Sequence, residues 1–416
     1  MTAAPAPDLL ADRRFRRFWI GQTVSVVGDQ VTSLAIPLAA VVTLGAGATE
    51  MGLLTAAGYA PHLLLSLVAG AWIDRGARRR ALMVAADLGR ALVLLSVPLA
   101  YALGALTIGQ LYAAAFLVGT LTVVFDQSNV TLLLLLVAKE RMVDAYGRLS
   151  TSTAAAQVGG PSLAGLLVSV LSAPVALVVD AASFLVSAAS LLAIRVAEPE
   201  PEPAPGETPW RRIAEGARFV LGHPMLRASL GCASTMNFFN LMLNAILVLY
   251  MSRILGLSPA AIGAVLGVGA AGGLLGAVAA PRFARLAGFG RAILVGAVLF
   301  TGPALLVPLA PHGTGGAVVV TVAELLSTLG VMLFDVNNNS LTALVVPYRL
   351  RARASGTSRF FGYGVRPLGA LAGGALGSAI GLRPTLWIAA AGGLLAAVWL
   401  WRSPIPRLAQ PPVQAE

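Results

Sequence analysis

Six acidic side chains lie inside long apolar stretches of this 416-residue chain: Asp29, Asp87, Asp126, Asp180, Glu324 and Asp335. A carboxyl group costs several kcal/mol at the depth of a bilayer unless it is paired, hydrated or protonated, so each needs a physical reason to be there. Asp29 has the wettest surroundings, with Gln22, Thr23, Ser25, Gln30, Thr32 and Ser33 within about two helical turns. The chemistry such a group offers is reversible proton binding, and Asp29 is expected to be the proton-coupling residue. A structural hydrogen bond and direct contact with a substrate are its alternatives. Asp180 and Glu324, in the outer halves of their stretches, are further proton-carrying candidates. Asp87 and Arg90 stand three apart and should form an ion pair along one helix, near its cytoplasmic end. Arg366 has three open roles: counter-ion to Asp335, counter-ion to Glu324, or ligand for an anionic substrate.

Amides and rings form the second group. Asn237, Phe238, Phe239, Asn240 and Asn244, with Asn337, Asn338 and Asn339, are expected to face a central cavity alongside Gln30, although some can instead bridge helices. His62 follows Pro61 and reads as a packing histidine. No enzyme is expected. His62, His223 and His312 are scattered, no serine elbow with a partnered histidine is present, and no Gly-x-x-x-x-Gly-Lys loop cradles a phosphate. The single Cys232 excludes an internal disulfide.

The elements that must position these residues are membrane helices. With 57% hydrophobic and 11% charged residues and a mean hydropathy of +0.82, the composition excludes an ordinary soluble globule. Apolar runs lie near 18–42, 50–73, 81–103, 110–137, 154–172, 175–194, 229–250, 260–280, 291–310, 317–345, 359–380 and 384–401, each long enough to span a hydrocarbon core as a helix. Of the 29 Lys and Arg residues, 25 fall in every second gap; Arg90 and Arg366 lie within runs, and Arg253 and Arg383 in the intervening gaps. Retention of basic residues on the cytoplasmic side then predicts twelve spans with both termini inside. The net charge of +11 is spread over separate short loops, so no nucleic-acid partner is expected. Arg dominance, with Lys139 the one lysine, suggests a bacterial source and hence the inner membrane.

The longest gap divides the spans six and six. Residues 197–210, AEPEPEPAPGETPW, read as an extended linker, and Arg211 to Arg227 as an amphipathic helix on the inner leaflet. The predicted units are 1–195, a linker 196–228, and 229–416. A faint repeat agrees with duplication: Phe125-Asp126-Gln127-Ser128-Asn129 is echoed by Phe334-Asp335-Val336-Asn337-Asn338, each followed by a basic loop and a Gly/Pro segment.

The loop Gly70-Ala71-Trp72-Ile73-Asp74-Arg75-Gly76-Ala77-Arg78-Arg79-Arg80 resembles the signature loop of the major facilitator superfamily, with Gly76 one place early. Gly159-Gly160-Pro161-Ser162-Leu163-Ala164-Gly165 is similar to a shortened antiporter motif, with Ala164 in place of one glycine; Gly160, Pro161 and Gly165 would let the fifth helix bend or seal. Gly28-Asp29, Ala85 to Arg90 and Arg366 to Ala370 are similar to the drug:proton antiporter branch that includes macrolide-efflux proteins and the enterobactin exporter. The fourth-span arginine of that branch has no counterpart between Gln110 and Lys139. The resemblance implies an all-α membrane protein of two pseudo-symmetric six-helix bundles. It also implies a charge network of Gly70, Asp74, Arg75, Arg78 and Asp126 near the inner surface, with Asp335 as partial counterpart; Arg79 or Arg80 could replace Arg78. The expected activity is proton-coupled export of small amphipathic compounds by a monomer in the bilayer, with no cofactor beyond the proton gradient. A siderophore or lysophospholipid exporter, a metabolite importer and a non-transporting receptor or scaffold are the other readings.

Overall fold

The computed structural model describes residues 9–74, 78–196 and 209–411; the side chains of 66–74, 209–213, 348, 352 and 359 lie outside that description. Among the described residues there is no strand. The first bundle comprises α1 (Arg13–Leu38), α2 (Ala48–Asp74), α3 (Arg79–Ala102), α4 (Ile108–Leu136), α5 (Met142–Leu171) and α6 (Ala173–Leu192). A short α7 (Pro209–Gly222) leads into α8 (Pro224–Arg253), α9 (Pro259–Ala287), α10 (Phe289–Thr301, continued by a 3-10 segment Gly302–Leu309), α11 (Thr314–Val345) and α12 (Arg351–Ala379). The last span is made by α13 (Leu382–Leu394) and α14 (Ala396–Trp401) together. Ten spans meet the length and hydropathy needed to cross a membrane; α2 and α12 complete the twelve, α12 being more polar because it carries Arg351, Arg353, Arg359 and Arg366.

Local chemistry sets several helix starts. Asp12 caps α1 by accepting from the Arg14 amide at 2.7 Å, Thr107 caps α4, and Ser258 caps α9 ahead of Pro259. One expected boundary moves. The segment 224–227, read in sequence as the end of an amphipathic surface helix, belongs to α8, because Pro224 suits a first helical turn, where its missing N–H costs nothing. What remains, α7, is amphipathic as expected, and its described apolar residues Phe219 and Val220 face protein. Phe219 and Val220 pack with Leu226, Phe289 and Leu341 in the second bundle, and Glu215 pairs with Arg353 of α12.

The two bundles repeat one packing plan. The neighbours α1–α5, α1–α6, α2–α4 and α3–α4 recur as α8–α12, α8–α13, α9–α11 and α10–α11. The contacts between bundles, α2 with α12 and α5 with α9, exchange under the same twofold relation. Both contacts are tightest at the end of the molecule away from the termini. There Gly52 meets Ala370 and Gly374, Gly165 meets Gly263, and Thr49 donates to Ser378 at 2.9 Å. A methyl group added at Gly52 would lie 2.7 Å from the Ala370 carbonyl oxygen, so these backbones touch only because side chains are absent.

Arg253 and Arg383, the exceptions to the charge alternation, both cap carbonyls at this far end. Arg383 donates to Ala310 at 3.3 Å, within its own bundle. Arg253 crosses between bundles and donates to the carbonyls of Gly45 and Ala46 at 2.7 and 2.9 Å. Charge-assisted bonds of this kind contribute about 1.5–3 kcal/mol each. Arg253→Ala is therefore expected to raise thiol labelling of a cysteine placed at Ala48, buried at the same crossing, by about tenfold, with Arg253→Lys in between. Unchanged labelling would remove Arg253 from the seal.

Candidate functional site

In the first bundle, α1, α3, α4 and α6 bring four of the six intramembrane acids around one cation. Arg90 is fully buried, lies over the rings of Phe125 and Phe184 at 4.5 and 4.1 Å, and ion-pairs with Asp87. The expected Asp87–Arg90 pair is thus present, but deep in the bundle instead of near a helix end. One Asp87 oxygen and the Arg90 Nε find no hydrogen-bond partner. Asp180, also fully buried, accepts from Thr32 Oγ1 and from Ser183 Oγ at 2.9 Å. Asp29 and Asp126 make no hydrogen bond or ion pair among the described residues. They share a cavity of about 170 Å³ with Gln22, Thr23, Thr122, Asn129 and Arg90. Asp29 is within electrostatic reach of Asp180, Arg90, Asp126 and Asp87. Four carboxylates against one guanidinium leave three excess negative charges if all are ionised, which this depth does not tolerate without bound protons or other cations.

The second bundle is arranged differently. A cavity of about 620 Å³ is lined by Asn237, Asn240, Asp335, Asn338, Tyr363 and Arg366, among others. Arg366 Nε donates to Asn237 Oδ1 at 2.8 Å, and Asn338 accepts from Ser229 at 2.5 Å. Arg366 and Asp335 share this cavity without forming an ion pair, so the first of its three possible roles holds only at a distance. Glu324 stands elsewhere on α11, packed against Gly269 of α9, with no hydrogen bond or ion pair among the described residues.

Between the bundles lies a third space of about 570 Å³. Its walls include Ile36, Leu54, Tyr59, Val118, Leu241, Leu247 and Leu266, its polar groups include Thr32, Ser33, Asn240 and Asn244, and among the described residues no charged one lines it.

A profile of the Major Facilitator Superfamily matches residues 18–370. The chain belongs to that superfamily. It is 28% identical over 383 residues to the multidrug efflux pump Tap of Mycolicibacterium fortuitum, covering 86% of this chain and 88% of the relative. Among solved structures, a variant of the nucleoside transporter NupG superposes with a TM-score of 0.79 at 12% identity, over 93% of this chain and 99% of that one. A bacterial homologue of the iron transporter ferroportin gives 0.70 in its inward-facing state, at 18% identity over 95% and 99% of the chains. Its outward-facing state gives 0.59, at 18% identity over 94% and 98%. These likenesses are of fold.

Within the superfamily fold several expected residues take other places. Gly70 and Asp74 lie in α2 with undescribed side chains, and Arg75 lies outside the described residues. Arg78 is exposed at the start of α3, while Arg80 donates to the Ile194 carbonyl. Asp126, expected near the inner surface, lies ten residues before the end of α4 at Leu136 and joins Asp29 and Arg90. Gln30 packs its side chain on Gly160, and the Phe238 ring sits edge-on to Phe239 at 5.1 Å against the apolar core. Asn337 is buried and bonds back to Leu333. Asn244 lines the central space and donates to the Asn240 carbonyl at 2.9 Å. Of the three motif residues, Pro161 and Gly165 shape the seal, the Pro161 carbonyl and the Gly165 backbone both abutting Gly263, while Gly160 faces α1 of its own bundle. The fourth span carries no arginine, but Arg90 of α3 lies against it, over the Phe125 ring and 3.5 Å from Thr122 Oγ1. Sequence reasoning missed Phe184, Tyr59 and Tyr363, which stand in no motif or spacing pattern of their own.

Proposed function

We propose that this superfamily transporter exports small amphipathic compounds in exchange for protons. The observation that carries the reading is the excess of carboxylates around Arg90, with Asp29 and Asp126 unpaired at the wall of a polar cavity. The Tap relative, named a multidrug efflux pump, supports the direction of transport. The largely apolar space between the bundles, lined by no charged residue among those described, supports an amphipathic cargo. An importer of polar metabolites would want charged pairs there, and Arg90, ringed by four acids, offers no site for an acidic siderophore or lipid.

In this reading the basic end bearing both termini is cytoplasmic. The bundles are then sealed at the outer end by the glycine crossings and Arg253, and the cavity faces the cytoplasm. The higher similarity to the inward-facing ferroportin homologue, 0.70 against 0.59, agrees with that. Compound binds from inside, the bundles rock, and Asp29 takes a proton from outside as compound leaves. The return stroke delivers the proton to the cytoplasm. Exchange requires that proton and compound prefer the site in opposition, since a ligand without differential affinity shifts no equilibrium.

The test is transport by purified protein in inverted vesicles across an imposed pH gradient. Asp29→Asn is expected to reduce gradient-driven efflux at least about tenfold while equilibrium exchange without a gradient stays within about threefold. Gradient-driven efflux at the unmutated rate would show that Asp29 does not couple.

A further inference from the structure

Arg366 is held as a pre-formed acceptor of anions. Its Nε is fixed by Asn237 Oδ1 at 2.8 Å, and its guanidinium lies over the Tyr363 ring at 4.1 Å. Tyr59, from α2 of the other bundle, approaches it at 5.6 Å. Among the described residues the two terminal nitrogens have no hydrogen-bond partner and no carboxylate within ion-pairing distance. Thus the donors that form a bidentate fork remain unused, in a cavity of about 620 Å³. The neighbouring Pro367 lacks the N–H that would bond the Tyr363 carbonyl, which leaves an acceptor in the same turn. Amides and aromatic rings make up much of the remaining wall, and Asp335 is the acid that shares the space.

We propose that this cavity recognises planar, conjugated compounds bearing a carboxylate, with the acid on the Arg366 fork and the ring system among Tyr363 and the asparagines. The inference deepens the export reading by naming a substrate class, and it rests on that reading only for the direction of movement. The fork supplies selectivity because a carboxylate fills both terminal donors, whereas a carboxamide fills at most one and brings N–H groups that face the guanidinium. Asp335 works against the same ligand. An anion on Arg366 must compete with that carboxylate for the guanidinium field, so removing the charge of Asp335 improves binding.

The experiment measures equilibrium binding of naphthalene-2-carboxylate and naphthalene-2-carboxamide to the purified full chain in nanodiscs, at neutral pH and without a gradient. The carboxylate is expected to bind about tenfold more tightly than the amide. Arg366→Gln should reduce that ratio to about one, and Arg366→Lys should keep part of it, because the charge remains and the fork is lost. Asp335→Asn should tighten the carboxylate several-fold and leave the amide unchanged, an opposite shift that a merely misfolded variant does not give. Equal affinity for the two probes, no binding of the carboxylate at millimolar concentration, or a preference that survives Arg366→Gln would each overturn the proposal. Because no proton gradient is present, failure of proton coupling in vesicles leaves this result standing. Conversely, proton-driven efflux of uncharged compounds without any acid preference sinks this inference alone.

Discussion

Arg90→Met is expected to lower folded stability by about 3–5 kcal/mol, the cost of stranding a buried partner of opposite charge. The site makes the effect large. Arg90 is fully buried between Phe125 and Phe184, is the partner of the equally buried Asp87, and is the cation nearest to Asp29, Asp126 and Asp180. Asp87→Asn alone should also destabilise, because the guanidinium keeps its burial and loses its closest anion. The double variant Asp87→Asn/Arg90→Met is expected to recover most of the loss. Met has the length to fill the space between two rings, and the stranded charge is gone. Thermal unfolding in detergent reads this as a fall of roughly 5 °C or more for each single change and near return for the pair. The pair should still fail to couple, since the remaining acids have lost the cation that balances them. A double variant no better folded than either single would show that Asp87 and Arg90 do not act on each other; one that exports normally would remove Arg90 from the coupling site.

How far the sequence foretold this site follows from what each signal measures. Charge alternation and hydropathy are properties of single segments, so the twelve spans, their pairing into two sets of six and the position of Asp29 on a polar stretch of α1 could be read directly. Arg253 and Arg383 stood out as exceptions to that pattern, and the structure gives Arg253 two carbonyls to cap and Arg383 one. What could not be read is the rotation of one helix against another. Asp180 is seventeen residues nearer the N-terminus than Ala197, where the linker begins, yet it meets Thr32 of α1, because α6 packs on α1. Arg90 appeared to be engaged only along its own helix; its contact with Phe125 of α4 depends on the α3–α4 crossing. Phe238 and Gln30 carried the right residue types for a cavity but turn into packing, a choice made by their neighbours Phe239 and Gly160. Tyr59 and Tyr363 come together from opposite bundles, and no local pattern encodes that meeting.

Gly263→Leu is expected to drive the protein out of the conformation described above. The α5–α9 crossing brings the backbones of Gly165 and Gly263 into contact, and a Cβ at residue 263 would stand 2.9 Å from the Gly165 Cα and closer still to the Pro161 carbonyl oxygen. None of these atoms is the movable end of a side chain, so the helices themselves must separate. Overpacking of this kind costs about 1–3 kcal/mol in a rigid interior. The alternating states of a transporter differ by only a few kcal/mol, so the same cost moves the population by about ten- to hundredfold. The strain falls on one state alone, because the outer seal must open in the other. Pulsed electron–electron distances between spin labels at Ser169 and Ala260 are expected to lengthen and to become nearly independent of compound, and export should fall at least about tenfold. Gly165→Leu attacks the same crossing from α5 and should act alike, whereas Gly159→Leu, at an exposed glycine with open space around its Cα, should leave both distance and transport near their original values. If Gly263→Leu left the distance distribution and its response to compound intact, the glycine crossing would be packing without a gating role, and the seal would rest on Arg253 and the α2–α12 contact.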